Sequence, residues 1–404
     1  MPYSVVGWRD NEHPGSDRRT FLKRFAIVVP LGQVGESTWL DAGPLTATVQ
    51  STDDAWPMFG HDPAHTGVNP DATGPEPPAE VKWHVSDLPG SVWPPAVVGD
   101  TAYVGTGFFD QTTDGDLRAF SVDRGTNQWV FVPSEPGMGV PAIVDGTIYI
   151  GGNDNNVNAL DVETKELRWT FTANAPTTFP KVVDGMVYVT EFGGRFTVYA
   201  IDAENGEEQW RFEAATGPAE TVAVADDRVY VGPFTSDSTV YAIDAESGEE
   251  QWRFEAAVGA PNTPVVTHDT VYVGSDDSNV YAVDAASGEE QWRFNEPLTP
   301  FRVPVVDDDT VYVNNSDTNL YALDASTGDP RWLFEGATSE IFVRAVGGET
   351  VYIGGHDMNV YAVDTTSGEE QWRFEAATEP TGSPVAVGET LYVGTLNGSL
   401  YALT

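Results

Sequence analysis

The sequence of 404 residues contains no cysteine. Disulfide bonds, thiolate metal sites, cysteine nucleophiles and a lipid anchor on an N-terminal cysteine are therefore excluded. Long hydrophobic runs are also lacking, because no segment reaches the roughly 20 consecutive apolar residues of a membrane-spanning helix. We therefore expect no membrane span. The motifs G-x-x-x-x-G-K-[ST], H-E-x-x-H and G-x-S-x-G are absent as well, so these catalytic and phosphate-binding signatures give no lead.

Basic residues are scarce. The chain has 20 Lys and Arg against 62 Asp and Glu, a formal net charge of −42, and only four of the basic residues are lysine. This balance disfavours nucleic-acid binding, because phosphate contacts need clustered Lys and Arg. The acidic residues are spread along the repeats, which is typical of a carboxylate-rich surface that stays hydrated in molar salt. The composition favours a halophilic protein; binding of a basic partner or of cations is the alternative.

The N-terminal region has no core pattern, and we interpret residues 1–52 as a leader. Residues 16–23 read SDRRTFLK, which is similar to a twin-arginine export signal, with Arg18 and Arg19 as the arginine pair and one inserted aspartate. A short apolar stretch follows at residues 25–31. Such signals direct export, so we expect an extracellular or cell-surface protein that is exported folded. A basic leader without this role, on a cytoplasmic protein, is the alternative.

A segment of roughly 40 residues is written repeatedly along the chain, a period typical of repeat architectures. Five clear copies are separated by 42, 40, 40 and 40 residues. The clear copies end on Trp210, Trp252, Trp292, Trp332 and Trp372, the weaker ones on Trp129 and Trp169, and a single strand carries Trp83. Such regularity indicates one supersecondary unit copied many times around or along a shared core.

Each unit has the pattern of a small antiparallel sheet. Residues 264–294 contain four short runs, PVVT, TVYVGS, NVYAVDA and QWRFE, which are joined by segments of Gly, Asp, Asn and Ser. The runs alternate and are rich in Val, Tyr, Trp and Phe, so they predict four strands in a meander. Helical periodicity is absent, and a lone meander cannot bury both faces. The sequence therefore predicts an all-β fold of stacked units.

The repeat array begins and ends with an incomplete unit, and this predicts how the array closes. The chain supplies eight first strands and eight tryptophan-bearing fourth strands, but it opens with a fourth strand, VKWHV, and ends with three strands that have no fourth. Pairing these leftovers gives an eight-bladed β-propeller over residues 81–404, preceded by a lead-in and Pro-rich connector at 53–80. A closed ring protects its strand edges. An open solenoid is the alternative, but no polar capping unit is visible.

Four positions recur at fixed offsets, A-x-D-x-x-x-G-x-x-x-W. They are Ala200, Asp202, Gly206 and Trp210; Ala242, Asp244, Gly248 and Trp252; Ala282, Asp284, Gly288 and Trp292; Ala322, Asp324, Gly328 and Trp332; and Ala362, Asp364, Gly368 and Trp372. The pattern resembles the tryptophan-docking motif of quinoprotein propellers, which are built from pyrroloquinoline-quinone repeats. The segment WPMFGHDPAHTG at 56–67 resembles the lead-in that often precedes them.

The resemblance implies a structural role for the motif. Each Trp is expected to pack between adjacent blades against the small Ala and the Gly-bearing loop, and each Asp is expected to accept backbone N–H groups within a tight loop. The early copies depart from the pattern. Lys165 stands where glycine is expected, and the loop between Asp123 and Trp129 is two residues shorter than in the other copies.

The resemblance leaves both an enzymatic and a non-enzymatic function open. The family that the motif resembles includes alcohol and sugar dehydrogenases that hold pyrroloquinoline quinone and calcium on the propeller axis. It also includes non-enzymatic members such as the barrel-assembly lipoprotein of bacterial outer membranes. A catalytic base and a calcium site need unique carboxylates on irregular loops, whereas the acidic residues here recur with the repeat. We therefore expect a non-enzymatic protein with no catalytic, cofactor-binding or metal residues and no cofactor. A minimal quinone-dependent dehydrogenase and a polysaccharide-binding propeller are the alternatives.

Other candidate sites give weaker signals. His61, Asp62 and His65 have metal-ligand chemistry at helical spacing, but they lie in a segment rich in Pro and Gly, so we read them as a turn. His84 and His268 are isolated, as is His356. Loops with the pattern Asp-x-Asn, such as SDDSN, are read as hairpin turns instead of calcium sites, since none has an EF-hand pattern.

The expected function is to scaffold or bind an unknown protein partner. In a four-stranded meander, the turns after each second strand and the loops after each Trp strand share one face. These segments vary most between copies, and variable loops on a constant frame are where recognition is expected. Phe234, Phe301 and Phe342 fall in or beside them and are expected to be packed residues instead of contacts. We expect the protein to be a monomer.

Overall fold

A computed structural model describes most of the chain after the predicted leader. The described residues are 55–108, 115–192, 196–214, 219–232, 238–256, 262–296, 300–316, 318–376 and 381–404. Arg18, Arg19 and Phe234 lie outside them. Every regular element in these ranges is a β-strand, so the predicted all-β class is confirmed. In the same ranges, no helix has the length and hydrophobicity that crossing a membrane requires.

The described strands form eight sheets, the blades, and each is an antiparallel meander of four strands. The strands of blades 1 to 4 are β3 (Ala96–Val98), β4 (Thr101–Gly105), β5 (Leu117–Ser121), β6 (Asn127–Phe131); β7 (Ala142–Val144), β8 (Thr147–Gly151), β9 (Asn156–Asp161), β10 (Leu167–Thr172); β11 (Lys181–Val183), β12 (Met186–Thr190), β13 (Thr197–Asp202), β14 (Glu208–Glu213); and β15 (Ala223–Ala225), β16 (Arg228–Val231), β17 (Thr239–Asp244), β18 (Glu250–Glu255).

The remaining blades repeat this order. Their strands are β19 (Val265–Thr267), β20 (Thr270–Gly274), β21 (Asn279–Asp284), β22 (Glu290–Asn295); β23 (Val305–Asp307), β24 (Thr310–Asn314), β25 (Leu320–Asp324), β26 (Pro330–Phe334); β27 (Ile341–Gly347), β28 (Thr350–Gly355), β29 (Asn359–Asp364), β30 (Glu370–Glu375); and β31 (Thr381–Val387), β32 (Thr390–Thr395), β33 (Leu400–Leu403) with β2 (Val81–Val85). The short strand β1 (Val68–Asn69) adds to blade 7, pairing in parallel with β27.

The ring closes as the strand count predicts. Strand β2 pairs antiparallel with β33, with Trp83 opposite Ala402 and Val85 opposite Leu400. The order of the closing sheet is β2-β33-β32-β31, so the first and last strands of the propeller complete blade 8. Because this pairing satisfies the edge of β33 with the chain's own backbone, the ring has no open end.

The hydrophobic core lies between neighbouring blades. The second and third strands of a blade are buried on both faces, as in β17 and β28. Buried residues of adjacent blades form shared clusters: Tyr230 and Trp252 of blade 4 belong to one cluster with Val271 and Tyr281 of blade 5. Each blade therefore buries a face only when its neighbour is present, which explains why the repeat must be continued around the ring.

The outer strand of a blade faces solvent at the rim. In β14, β18, β22 and β30 only the Trp is buried, and a Glu–Arg ion pair covers the strand. Arg211 binds Glu208 with two contacts of 2.7 Å and lies 5.3 Å from the ring centre of Tyr199. Such exposed pairs contribute little to stability. They do place charge on a strand edge that would otherwise attract other strands.

The lead-in occupies the axis of the propeller. Residues 56–74 run past the innermost strands and bond to them in chain order. The main-chain bonds are Trp56 to Val97 in blade 1, Pro57 O to Ile143 N in blade 2, Pro63 O to Val224 N in blade 4, Ala64 O to Val266 N in blade 5, Thr66 O to Val306 N in blade 6, Gly67 O to Val346 N in blade 7, and Thr73 N to Gly388 O in blade 8. No core pattern is visible in residues 69–80, yet Asn69 and Ala72 are buried here.

Blade 3 is joined to the lead-in by a side chain. Lys181 is fully buried, and its ammonium group donates to the main-chain oxygens of Phe59 and Asp62. Burial lowers the pKa of Lys181 to about 7, although the nearby Asp62 carboxylate opposes the shift. The inner strands of blades 5 and 6 have Val265 and Val305 at the matching position. Lys181 is therefore an unrepeated residue that anchors the lead-in.

Candidate binding cleft at the hub

A cleft opens at the hub, on the face made by the turns after the second strands and the loops after the Trp strands. Its two adjoining parts have volumes of 220 Å³ and 330 Å³. Glu220, Phe342 and Arg344 line both parts. These volumes are in the range of small-molecule sites, or somewhat below it. The face is the one on which the copies differ most in sequence.

One side of the cleft is apolar. Trp93 and Pro94 come from the loop before blade 1, Phe59 from the lead-in and Leu396 from the last turn of blade 8. The rings of Phe59 and Phe179 meet edge to face at 4.6 Å between centroids. The Arg344 guanidinium lies 5.0 Å from the centre of Phe59. The axial lead-in therefore forms part of the cleft as well as filling the channel below it.

The other side carries a balanced set of charges. Arg302 contacts Glu340 at 2.6 Å, and His356 lies 3.8 Å from the same carboxylate. Arg344 contacts Glu220 at 3.5 Å. The two arginines balance the charge of the two glutamates, which sets these four side chains apart from a chain of net charge −42.

Two arginine N–H groups in the cleft lack an acceptor among the described residues. Arg302 Nε and Arg344 Nη1 are buried and have no hydrogen-bond partner among the described residues. A buried guanidinium N–H without an acceptor is unfavourable, so these two groups are unsatisfied donors in the wall of the cleft. The arrangement can bind a carboxylate or carbonyl group beside an aromatic wall.

The polar residues of the cleft do not fit a calcium ion. Such an ion takes ~6–8 oxygen ligands, but Glu220 and Glu340 each face an arginine. Asn314 is also engaged, because its Nδ2 donates to Ile341 O at 2.7 Å and its Oδ1 accepts from Val343 N at 3.3 Å. Across the ranges that the structure describes, no group of three or more His, Asp or Glu side chains could hold a metal. The two carboxylates of the cleft are thus each opposed by an arginine and do not form a three-carboxylate cluster.

The histidines of the lead-in form a turn. His61 and His65 both have positive φ, at 71° and 67°. Asp62 accepts from Thr66 N at 3.1 Å, while His65 packs edge to face on Phe59 at 5.0 Å. Burial, with Lys181 and Arg344 nearby, holds the pKa of His65 well below its usual value. These contacts are those of a tight axial bend, without converging metal ligands.

The repeated tryptophans lie between blades. Four of the indole N–H groups in the clear copies donate to a main-chain oxygen of the next blade: Trp210 to Ala245 at 2.9 Å, Trp252 to Ala285 at 2.9 Å, Trp292 to Ala325 at 2.9 Å and Trp332 to Thr365 at 2.8 Å. The motif glycine lies under the ring of the preceding blade, as Gly248 does under Trp210. The motif alanine is opposite the Trp of its own blade, as Ala200 is opposite Trp210.

The motif aspartates hold their loops. Asp244 Oδ1 accepts from Ser247 N at 2.8 Å and from Glu246 N at 3.2 Å. These bonds lower the pKa of the Asp244 carboxyl. The departure at Lys165 is accommodated differently: this residue has φ 63°, and its ammonium lies 5.7 Å from the ring centre of Trp129.

Other residues singled out in the sequence are dispersed. Phe301 is fully buried against Phe294 and Tyr321. Phe342 lines the cleft and meets His356 edge to face at 5.0 Å. His84 stacks on Tyr401 at 4.2 Å on the rim. Sequence reasoning did not identify the charged residues of the cleft, because they lie in segments that differ from copy to copy.

The chain from residue 113 to its last residue matches a known family. The model of the family described as outer membrane protein assembly factor BamB matches residues 113–220 and 194–404. Quinohemoprotein alcohol dehydrogenase ADH-IIG of Pseudomonas putida is 36% identical over 87 residues, 19% of this chain and 12% of that protein. BamB of Yersinia pestis is 28% identical over 119 residues, 25% of this chain and 30% of that protein. The matched part thus spans less than a third of either relative.

Solved structures extend the likeness to most of the fold. Quinohemoprotein alcohol dehydrogenase from Comamonas testosteroni has a TM-score of 0.71 at 14% identity, over 88% of this chain and 81% of that chain. BamB from Moraxella catarrhalis has a TM-score of 0.65 at 16% identity, over 81% and 99%. At such identities the likeness shows the fold alone. The expected quinoprotein-type propeller is confirmed, and the relatives include both an enzyme and an assembly factor.

Proposed function

This chain belongs to the BamB family of β-propellers, and from that premise we propose that it is a non-catalytic binding propeller whose hub cleft holds part of a protein partner. It would act outside the cell, at the surface of a salt-adapted organism. The name of the family, outer membrane protein assembly factor, supports a role in holding other proteins. The chain's acidic composition and the arginine pair of its leader support the proposed setting.

One observation carries the proposal. The carboxylates that a dehydrogenase would need as base or calcium ligand, Glu220 and Glu340, are each opposed by an arginine in the cleft. A carboxylate that contacts a guanidinium is already engaged in a charge-assisted interaction, so it is less available as a metal ligand. The spare N–H groups of Arg302 and Arg344 and the aromatic wall are suited to binding instead.

The test is capture of a partner from the native cell surface at native salt. The wild-type protein is compared with an Arg302→Ala, Phe342→Ala double variant, which removes one donor and one wall of the cleft. Arg253→Ala is the matched control, because Arg253 is an exposed arginine paired with a glutamate on the rim. We expect the cleft variant to lose the partner and the control to keep it. Equal capture by all three proteins would contradict the proposal.

The quinone-dependent dehydrogenase is the second candidate, favoured by the likeness to alcohol dehydrogenases. It predicts that the protein, mixed with pyrroloquinoline quinone and calcium, binds the quinone and shows an absorbance change when an alcohol or sugar is added. The proposed binding function predicts neither. A glycan partner, distinguished by resistance to protease and sensitivity to glycosidase, would instead support the polysaccharide-binding alternative.

A further inference from the structure

The rim of the propeller is not uniform. The outer strands of blades 8, 1 and 2, which are consecutive in the ring, read VKWHV, NQWVF and LRWTFT and contain no Asp or Glu. We call these strands, β2, β6 and β10 with Val132, the acid-free sector. In β14, β18, β22 and β30, by contrast, every strand begins with a glutamate that is paired with an arginine.

Apolar side chains are concentrated in the same sector. Val132 is 74% exposed, Leu167 52%, Val81 46% and Val130 38%. They are four of the seven large hydrophobic residues that are exposed in the described part of the chain. Single exposed hydrophobics are ordinary, whereas Val130 on the outer strand of blade 1 and Val132 just after it lie two residues apart, share one face and form an exposed apolar pair.

Strand β6 is the least protected edge of the rim. It is the last strand of the sheet β3-β4-β5-β6, so its outer edge is not paired within that sheet. Residues 125–134 contain no charged residue at all, whereas natural sheets guard such edges with charge. An uncharged, β-prone edge is a template for a further strand.

The charge of the chain indicates which molecule can cover this edge. Two copies with net charge −42 repel each other wherever their carboxylates face. At the acid-free sector that repulsion is reduced, since only Lys82 and Arg168 are charged on its three strands. A two-fold axis sets one patch against itself, and an uncharged apolar patch is complementary to its own copy.

We propose that the acid-free sector is a homodimer interface, in which β6 of one copy pairs with β6 of a second copy and Val130 and Val132 are covered. This association replaces the monomer expected from the sequence. It does not depend on the hub cleft, because the cleft lies on the axis and the sector lies on the rim. Failure of one proposal therefore leaves the other standing.

Blade 6 supplies a matched control. Leu333 follows Trp332 on β26 just as Val130 follows Trp129 on β6, and it is 44% exposed. Its neighbouring outer strands β22 and β30 carry the Glu–Arg pairs. Val130→Glu and Leu333→Glu thus add the same charge at equivalent positions, one inside the sector and one outside it. Both side chains are exposed, and circular dichroism checks that both variants are folded.

The first experiment measures mass by light scattering across a concentration series in molar salt. We expect the wild-type protein and Leu333→Glu to approach twice the chain mass of 43.6 kDa, and Val130→Glu to remain at the chain mass. A wild-type mass that stays at one chain throughout the series would overturn the proposal. Dissociation of both variants to the same extent would overturn it too.

The second experiment uses the absence of cysteine. Val130→Cys and Leu333→Cys each introduce a single thiol, so a covalent dimer can form only through that position. Under mild oxidation in molar salt, we expect a severalfold higher yield of covalent dimer from Val130→Cys. Equal yields from the two variants, or no covalent dimer from Val130→Cys, would mean that β6 does not meet its copy.

Discussion

Gly248 shows at the scale of one residue why the docking motif is so regular. It has φ +73°, and a Cβ placed on it would lie 2.7 Å from Cδ2 of Trp210 in the preceding blade. Two constraints therefore act on one position: a backbone conformation that L-residues avoid, and an indole ring in contact with the backbone. Blade 2 has Lys165 at this position, with φ 63°, and its ammonium group lies 5.7 Å from the ring centre of Trp129.

Substitution of this glycine separates the two constraints. We expect Gly248→Ala to lose about 1–2 kcal/mol from the left-handed backbone and a further ~1–3 kcal/mol from overpacking against the ring. Gly185→Ala is the control, since Gly185 has φ +74° and nothing within 4 Å of the added Cβ. Chemical denaturation in molar salt measures both. Equal losses would show that the ring contact contributes nothing.

Lys181 gives the protein a pH dependence with a definite sign. Its pKa is about 7 in the folded protein, because it is buried, against 10.5 in the unfolded chain. Between these values the unfolded state binds one more proton, so the free energy of unfolding rises with pH by at most about 1.4 kcal/mol per unit. We expect the free energy of unfolding of wild type to rise relative to that of Lys181→Met between about pH 7 and 10.

Because the other titrating groups are the same in wild type and Lys181→Met, their contributions to the pH dependence of the unfolding free energy cancel in the difference. Denaturation curves at several pH values in molar salt give the difference in unfolding free energy. A difference that stays constant with pH would contradict the prediction that burial lowers the pKa of Lys181.

At the scale of elements, the start of the lead-in packs into the hydrophobic core. Trp56 is only 2% exposed, and it exchanges main-chain bonds with Val97 of blade 1. We expect Trp56→Ala to destabilise the protein by about 3–5 kcal/mol, the usual cost of removing a buried aromatic side chain. Leu333→Ala, at an exposed rim position, is the control and should be nearly neutral.

Hydrogen exchange tests the same element without a large change in stability. The amides of Ile143, Val224 and Val266 are bonded to oxygens of the lead-in. They should exchange as slowly as amides paired inside a blade, such as those of β16. Much faster exchange at the three lead-in partners alone would show that the lead-in opens while the ring stays closed.

The elements differ in how far the sequence determines them. Strands are predictable because Val, Tyr and Trp recur with period two between turn residues. The closing strand β2 is predictable because strand counts at the two ends must balance. The axial path of residues 56–74 is not, because a segment that contacts seven blades through its main chain and blade 3 through Lys181 has no periodicity of its own.

The residues of the hub cleft cannot be predicted from the sequence for a related reason. Glu220, Arg302 and Arg344 belong to blades 4, 6 and 7 and are separated by tens of residues. Only the closed ring brings them to one side of the axis. The sequence indicates that their loops vary between copies, and variation alone does not reveal which side chains converge.

At the scale of the whole molecule, the net charge of −42 sets the solution behaviour. The Debye length rises from roughly 3 Å at 1 M salt to about 10 Å at 0.1 M, so carboxylates on neighbouring blades repel one another as salt is removed. We expect the fold to loosen on dilution from about 3 M to 0.1 M salt. Circular dichroism that is unchanged over this range would contradict the expectation.

The central claim is that a closed eight-bladed ring presents a hub cleft built for binding. The most direct test is an experimental density map of the full chain, prepared in molar salt with pyrroloquinoline quinone and calcium present in excess. We predict that β2 pairs with β33, that the lead-in fills the axis, and that Arg302 and Arg344 face their glutamates with no quinone between them. A calcium-bound quinone in the cleft, with Glu220 or Glu340 turned towards the metal, would contradict the account.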